Sequence, residues 1–456
     1  MKTAFRVPYC LFVALASVVF SAACSGEISH NVDDAGGKEP QYEESNFEPE
    51  QADGDLSTDN TNEESHEQDA GLLDAGAGDG ESQEDGADGQ NEGNDQNASD
   101  ADWLVGPGRE YKTPCQVSDL AQDGDVIEID AGSYKGDVCR WRQSDITLRG
   151  VGGLAHLDAD GKNYGGKGIW VIQGDRVTVE WIEFSNASVP DRNGAGIRQE
   201  GNDLTIRHCF FHDNEDGILG GGDSESVLTI EYSEFSHNGY GDGYSHNLYI
   251  GKIKRLEFRY NYSHLAKIGH NLKSRAANNI IMYNRIMDEQ DGTSSYIVDL
   301  PNGGMAVIVG NLLQQGPQTD NSTMVSYGAE GLVHPVNELY MANNTLVNDR
   351  SAGTFIRVAG QTTVASLVNN LFIGPGTKVS GDAQELSSIV ADGSALLDRQ
   401  GFDYHLAEGS PAIDKGENPG TAQGYDLRPV LEYKHPADNE PRPINGQLDV
   451  GAYERD

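Results

Sequence analysis

The chain has 456 residues, with 73 acidic side chains against 32 basic ones and a formal net charge of −41. That balance excludes a generic nucleic-acid binder, whose phosphate partner calls for an excess of Lys and Arg. The 56 glycines and the absence of any recurring amphipathic stretch point away from a helical protein and toward one large glycine-rich body or two smaller ones.

The first element in chain order is a targeting segment. Lys2 and Arg6 precede an apolar run from Val7 to Phe20, which closes in Ser21-Ala22-Ala23-Cys24. A basic start, a short apolar run and small residues before a cut mark a secretory signal, and the run is too short to span a bilayer comfortably. Residues 25–100 then carry 24 acidic residues against one basic residue, Lys38, with Tyr42 and Phe47 as the aromatics. Such a stretch cannot bury enough apolar surface to offset its chain entropy, so a disordered, self-repelling acidic linker is expected over 25–102. The Ala-Ala-Cys end of the signal resembles the bacterial lipobox, with Ser21 where Leu is usual. The resemblance implies lipidation of Cys24 and display on the bacterial cell envelope, at the outer membrane or cell surface; ordinary cleavage and secretion are the alternative. Cys115 and Cys139 are available to form a disulfide in an oxidising compartment, and Cys209 reads as a small core residue.

From about residue 140 a short strand pattern repeats. Val177-Thr-Val-Glu-Trp-Ile-Glu-Phe184, Leu204-Thr-Ile-Arg-His-Cys-Phe-Phe211 and Leu228-Thr-Ile-Glu-Tyr-Ser-Glu-Phe235 are its clearest copies. Equivalent positions fall at 182, 209, 233, 261, 284, 311, 344 and 370, steps of 23 to 33 residues. Short alternating strands at this period predict an all-β solenoid, a parallel β-helix, over 103–380. Asn261, Asn284, Asn311, Asn344 and Asn370 share one aligned position, and stacked Asn side chains are expected to satisfy a tight turn there.

Two further segments resemble known proteins. Asp123-Gly-Asp-Val-Ile-Glu-Ile-Asp-Ala-Gly132-Ser-Tyr134 resembles the first coil of secreted right-handed β-helix proteins. Phe402-Asp-Tyr-His-Leu406, Gly409-Ser-Pro-Ala-Ile-Asp414, Arg442-Pro443 and Asp449-Val-Gly-Ala-Tyr-Glu454 together are similar to the C-terminal segment of surface-anchored bacterial β-helix proteins. The resemblance implies the right-handed, pectate-lyase-like superfamily, with 381–456 as the C-terminal cap. It also implies an extracellular carbohydrate as partner, here an acidic polysaccharide; a membrane is expected through the Cys24 lipid, nucleic acid is not, and the chain is expected to be a monomer. The resemblance does not choose among lyases, hydrolases, epimerases and adhesins.

One band breaks the acidic background. Between residues 252 and 285, Lys252, Lys254, Arg255, Arg259, Lys267, Lys273, Arg275 and Arg285 face only Glu257, a net of +7. Within it, Ser245-His246-Asn247-Leu248-Tyr249 and Gly269-His270-Asn271-Leu272-Lys273 repeat His-Asn-Leu one coil apart. With Leu248 and Leu272 inward, alternation sends Asn247, Tyr249, Asn271, Lys273 and Arg275 outward, with Arg198 at a comparable position one coil earlier.

This composition suits β-elimination on a uronate polymer. Arg275, helped by Arg198, would neutralise the sugar carboxylate, and Lys273, Tyr249, His246 or His270 would remove the C5 proton. Arg198, Asn247, Asn271, Lys252, Arg259 and Lys267 complete the expected substrate-binding set. Lyases on this fold use Arg, Lys, Tyr or His in such roles, often with Ca²⁺, though no Ca²⁺ cluster is legible here. A non-catalytic glycan-binding adhesin is the alternative. A hydrolase using Asp216 and Asp242 is weaker still, because Asp-Gly is foremost a turn signal. Asp299 and Glu330 lie on the following coils, either flanking a cleft or ending strands.

Overall fold

Alternation along each repeat becomes the inside and outside of a solenoid. In Leu204–Arg207, for example, Leu204 and Ile206 are buried while Thr205 and Arg207 face outward. The computed structural model describes residues 100–455. The signal, Cys24 and nearly all of the linker lie outside the described residues.

Every coil contributes to two parallel sheets. A ten-stranded sheet runs from Cys139–Trp141 to Thr377–Ser380, and a 21-stranded sheet takes the other two strands of each coil, which meet at a sharp bend. The fold is thus an all-β parallel solenoid of about ten turns, matching the spacing read from the sequence. Its interior is a column of aliphatic residues with a stacked aromatic run. Phe184, Phe211 and Phe235 lie with ring centroids 5.0 and 4.9 Å apart.

The bend in the larger sheet is held by the asparagine ladder. The Asn261 amide donates to Asn284 Oδ1 at 3.2 Å, Asn284 to Asn311 at 3.0 Å, and Asn311 to Asn344 and Asn344 to Asn370 at 2.9 Å each. Each acceptor also takes the backbone N–H of the preceding rung, as Asn311 does from Asn284 at 2.9 Å. Ser233 and Cys209 extend the ladder where the repeat lacks Asn, through Ser233 N–H to Asn261 at 2.9 Å and Cys209 N–H to Ser233 Oγ at 3.1 Å. The residue before each rung is left-handed, with φ of 58° at Trp181, 52° at His208, 51° at Tyr232, 60° at Tyr260 and 56° at Tyr283. That region is costly for bulky side chains. Here their rings form an outer stack, with centroids 4.4 to 5.9 Å apart.

Cys115 and Cys139 form a disulfide with Cα atoms 5.6 Å apart, tying the first coil to the next. Cys209 is buried in the core, and burial pushes its thiol up to about 12.

The C-terminal segment does more than cap the end. Gln384–Leu386 and Ile389–Ala391 extend the larger sheet, and then three antiparallel strand pairs return along the flank. There Asn439 donates to the Tyr232 hydroxyl, Val430 N–H to the Tyr283 hydroxyl, and Asn343 to the Asp449 carbonyl. Outward side chains of the later coils are apolar, among them Leu312, Val347 and Leu371, and they need this cover from Tyr404, Leu406, Val450 and Tyr453. The buried Arg442 guanidinium fastens the strap through Glu454 Oε2 at 2.9 Å and the Ala452 carbonyl at 2.7 Å.

Candidate active site on the ten-stranded sheet

The outer face of the ten-stranded sheet carries one column of paired residues. Arg198 stands beside Leu219, Leu219 beside Tyr249, Tyr249 beside Lys273, Lys273 beside Asp299, and Asp299 beside Ser326. Leu248 and Leu272 are fully buried, so Tyr249 and Lys273 point outward as alternation requires. The strand at Lys273–Ser274 is only two residues long. Arg275 still pairs its N–H with the Ile250 carbonyl at 2.9 Å, and His334 Nε2 meets the Arg275 carbonyl at 3.1 Å, which fixes where the guanidinium leaves the sheet.

Six side chains then converge. Arg275 donates from Nε to the Tyr249 hydroxyl at 2.9 Å and from Nη1 to Asn302 at 2.7 Å and Glu330 at 2.6 Å. Lys273 Nζ lies 3.8 Å from Glu330 and 4.0 Å from Asp299. Burial works most strongly against the Arg275 charge, but the bonds and charges of Glu330 and Tyr249 together outweigh it and hold the guanidinium above the ordinary arginine range. Burial alone would raise Glu330; its bond to Arg275 and the charges of Arg275 and Lys273 keep it below the usual carboxylate range instead. Asp299 differs. Burial pushes it up to about 6, against the pull of Lys273.

His246 and His270 lie with ring centroids 4.5 Å apart and planes tilted by 37°, and the His270 backbone N–H donates to His246 Nδ1 at 3.0 Å. Burial first, then the nearby cations, holds both well below the ordinary histidine value, so both are neutral. His246 packs edge-on against the Tyr249 ring at 5.6 Å, and His270 Nε2 lies 4.0 Å from Asp299. The pair therefore forms the buried floor beside Lys273.

Several expected binding residues sit elsewhere. Asn247 and Asn271 turn inward, contrary to simple alternation, because the corner before the strand breaks the period. Asn247 donates to Asn271 Oδ1 at 3.1 Å, accepts from Asn238 at 3.0 Å, and Asn271 donates to the buried Asp288 at 2.9 Å, making a second internal polar ladder. Arg198 lies two coils before Tyr249, not one, since Leu219 intervenes; it is too far to share a carboxylate with Arg275. The basic band also divides. Arg255 and Arg259 project from the other sheet and both pair with Glu257, at 2.9 and 3.1 Å. Lys254 pairs with Glu225 at 2.8 Å and Lys267 with Asp213 at 3.2 Å. Lys252 is exposed on the turn that leaves the Leu248–Ile250 strand. Stacking distributed charge around the coil rather than onto one face.

The two carboxylates of the weaker hydrolase reading have different surroundings. Asp216 is buried and its carboxylate caps the His246 N–H at 2.8 Å, whereas Asp242 faces Arg192 at 3.7 Å. The carboxylates that do reach the groove, Asp299 and Glu330, are matched by Lys273 and Arg275. That donor set does not suit Ca²⁺, which needs six or more oxygens. A cavity of about 410 Å³ lies away from this cluster, lined by His237, Lys267, Glu289 and Phe402 among others. The convergent groups are on the sheet, with Lys273 and Asp299 buried beneath the partly exposed Arg275 and Glu330.

Asp299 has a measurable consequence. Its raised value means the folded state favours its protonated form, a contribution complete below the ordinary carboxylate range and lost as pH rises through about 6. Asp299→Asn keeps the neutral form throughout. The variant should melt a few degrees above the parent at about pH 8 and level with it at about pH 4. A melting series that finds the variant less stable at high pH overturns this account of Asp299.

The parallel solenoid thus carries an ionic cluster on one outward strand column. The chain belongs to the right-handed β-helix family, whose description, "Right handed beta helix region", matches residues 146–384. Among solved structures it is similar to pectate lyase Pel9A, at 14% identity and a TM-score of 0.56, over 78% of this chain and 97% of that one. A second similarity, to the PL6-family alginate lyase AlyGC, has 14% identity and a TM-score of 0.25, over 71% of this chain and 59% of that one. The first establishes a shared fold. No curated protein matches the chain by sequence.

Proposed function

We propose that the protein binds an acidic, uronate-containing polysaccharide along the ten-stranded sheet and cleaves it by β-elimination. The observation that carries this reading is Glu330. A carboxylate already lies 2.6 Å from Arg275 Nη1, with the Lys273 amine 3.8 Å away, so the guanidinium is placed to receive one beside a nitrogen that can act as base. A sugar carboxylate that displaces Glu330 gains the same partners. Arg275 then stabilises the negative charge that develops on that carboxylate as the C5 proton leaves. Lys273 in its neutral form takes the proton, the C4–oxygen bond breaks, and a C4–C5 double bond forms. Tyr249, oriented by Arg275 Nε, is placed to return a proton to the departing oxygen. The fold of Pel9A supports the substrate class by analogy only.

Incubation with pectate, alginate and glycosaminoglycans, followed by the ultraviolet absorbance of the conjugated unsaturated product, tests the reading. Product on one uronate polymer is expected. Binding of every such polymer without product would establish the adhesin alternative instead.

We place this activity at the cell envelope, through lipidation of Cys24. Cys24→Ser should move the protein from the membrane to the soluble fraction, and unchanged partitioning would end the lipoprotein reading.

A further inference from the structure

On the larger sheet, a second cluster of reactive side chains has no part in the proposed elimination. His156, Glu183 and His212 come from three consecutive coils. His156 pairs directly with Glu183 across Thr147–Asp158 and Ile182–Ser185, and the next strand places His212 opposite Ser185. Strand register therefore brings two imidazoles and a carboxylate together on a rigid backbone.

Their spacing fits an ion. Glu183 Oε1 is 3.0 Å from His212 Nε2 and 3.6 Å from His156 Nε2, and the three donor atoms all lie within 4.8 Å of one another. A tetrahedral ion with bonds of about 2.0–2.1 Å separates its donors by roughly 3.4 Å, so the two carboxylate–imidazole distances straddle that value. The outer contacts fit as well. Asp213 Oδ2 lies 3.0 Å from His212 Nδ1, so it accepts a hydrogen bond from the Nδ1–H tautomer, which directs the Nε2 lone pair at Glu183. Two electron-rich atoms facing each other at 3.0 Å call for a shared proton or a cation between them. A carboxylate behind a ligating histidine is the usual second partner of such a ring.

The three side chains are 28, 22 and 21% exposed, so one side of the cluster remains open to solvent. The Ser185 hydroxyl lies on the protein side, 2.7 Å from His156 Nε2. Two imidazoles with one carboxylate favour a borderline-soft transition ion over Ca²⁺ or Mg²⁺, which prefer oxygen alone. We propose that His156, Glu183 and His212 bind one divalent transition-metal ion, zinc foremost, which clamps three coils and keeps an open position for water.

The full-length protein without an affinity tag, stripped with a chelator, provides the test. Calorimetric titration with Zn²⁺ should give one ion per chain and raise the melting temperature, whereas Ca²⁺ and Mg²⁺ should do neither. Co²⁺ in its place should give the visible absorption of a four-coordinate site. His156→Ala and His212→Ala should each abolish the stoichiometric binding and the Co²⁺ spectrum, while His405→Ala keeps both. Asp213→Asn, which removes only the outer partner, should weaken Zn²⁺ binding about 10–100-fold. Absence of stoichiometric Zn²⁺ binding, or binding unchanged in a folded His156→Ala/His212→Ala variant, overturns the proposal.

Discussion

Arg275→Ala should lower turnover on the uronate polymer by about 10²–10³-fold, the typical loss when one charge-assisted donor to a developing anion is removed. The substitution removes the bonds to Tyr249, Asn302 and Glu330 together. It therefore disorders Tyr249 as well as discarding the charge, and the upper part of that range is expected. Lys273→Ala should cost as much or more if Lys273 is the base, because no other amine faces Asp299 and Glu330 among the described residues. Neither side chain belongs to the aliphatic interior, but Lys273 is buried beside Asp299, so a melting curve of each variant accompanies the rate. Lys162→Ala, on an exposed turn, is the control and should leave turnover unchanged. A Lys273→Ala/Arg275→Ala double variant that forms product at the parent rate would remove this groove from the reaction. The adhesin reading predicts something different: no product from the parent, and stepwise, salt-sensitive loss of binding as each charge goes.

Asn311→Ala should produce the largest loss of stability of any single polar substitution proposed for this fold. Asn311 donates to the Ile281 carbonyl and to Asn344 Oδ1, both at 2.9 Å, and accepts from Asn284 N–H and Nδ2 at 2.9 and 3.0 Å. Alanine leaves the Asn284 N–H and the Ile281 carbonyl without their partner in a dry turn, at about 1–3 kcal/mol for each buried group. A total of roughly 2–6 kcal/mol, or about 3–8 °C in melting temperature for a body of this size, is expected. Asn278→Ala is the comparison. Asn278 is half-exposed and bonds the Lys254 carbonyl at 2.8 Å, so its loss should stay within about 1 kcal/mol. Thermal melts of the two variants check this, and equal losses would show that the ladder is not special.

Much of the solenoid was legible before any coordinates because its determinants are local and periodic. Leu204, Ile206, Leu228, Ile230, Leu256 and Phe258 repeat the alternation that makes a buried strand face, and all are buried. The ladder asparagines were legible for the same reason: one position recurring once per coil must stack on itself. Tyr249 beside Lys273 followed from the His-Asn-Leu repeat by the same counting. The metal-ligand cluster was missed because only His156 and Glu183 share a register position, while His212 lies two residues along its strand from theirs. Only diagonal placement across coils brings them together, and no spacing along the chain marks it.

Sequence alone determined the class of fold, its coil length, the stacked turn and the strand that carries Lys273 and Arg275. Each of these depends on side-chain periodicity and on hydrogen bonds between equivalent residues one coil apart. Tertiary structure decided everything set at corners and between non-equivalent residues. It turned Asn247 and Asn271 inward, separated Arg198 from the site by a whole coil, and dispersed the basic band over two sheets. It brought Glu330, 55 residues beyond Arg275, onto that guanidinium, and it laid the C-terminal strap along apolar flanks that alternation would have left to solvent. The physical reason is the same in each case. A period fixes which residues repeat and which face of a strand they take, whereas turns break the period, and contacts made across a turn depend on where the backbone re-enters the sheet.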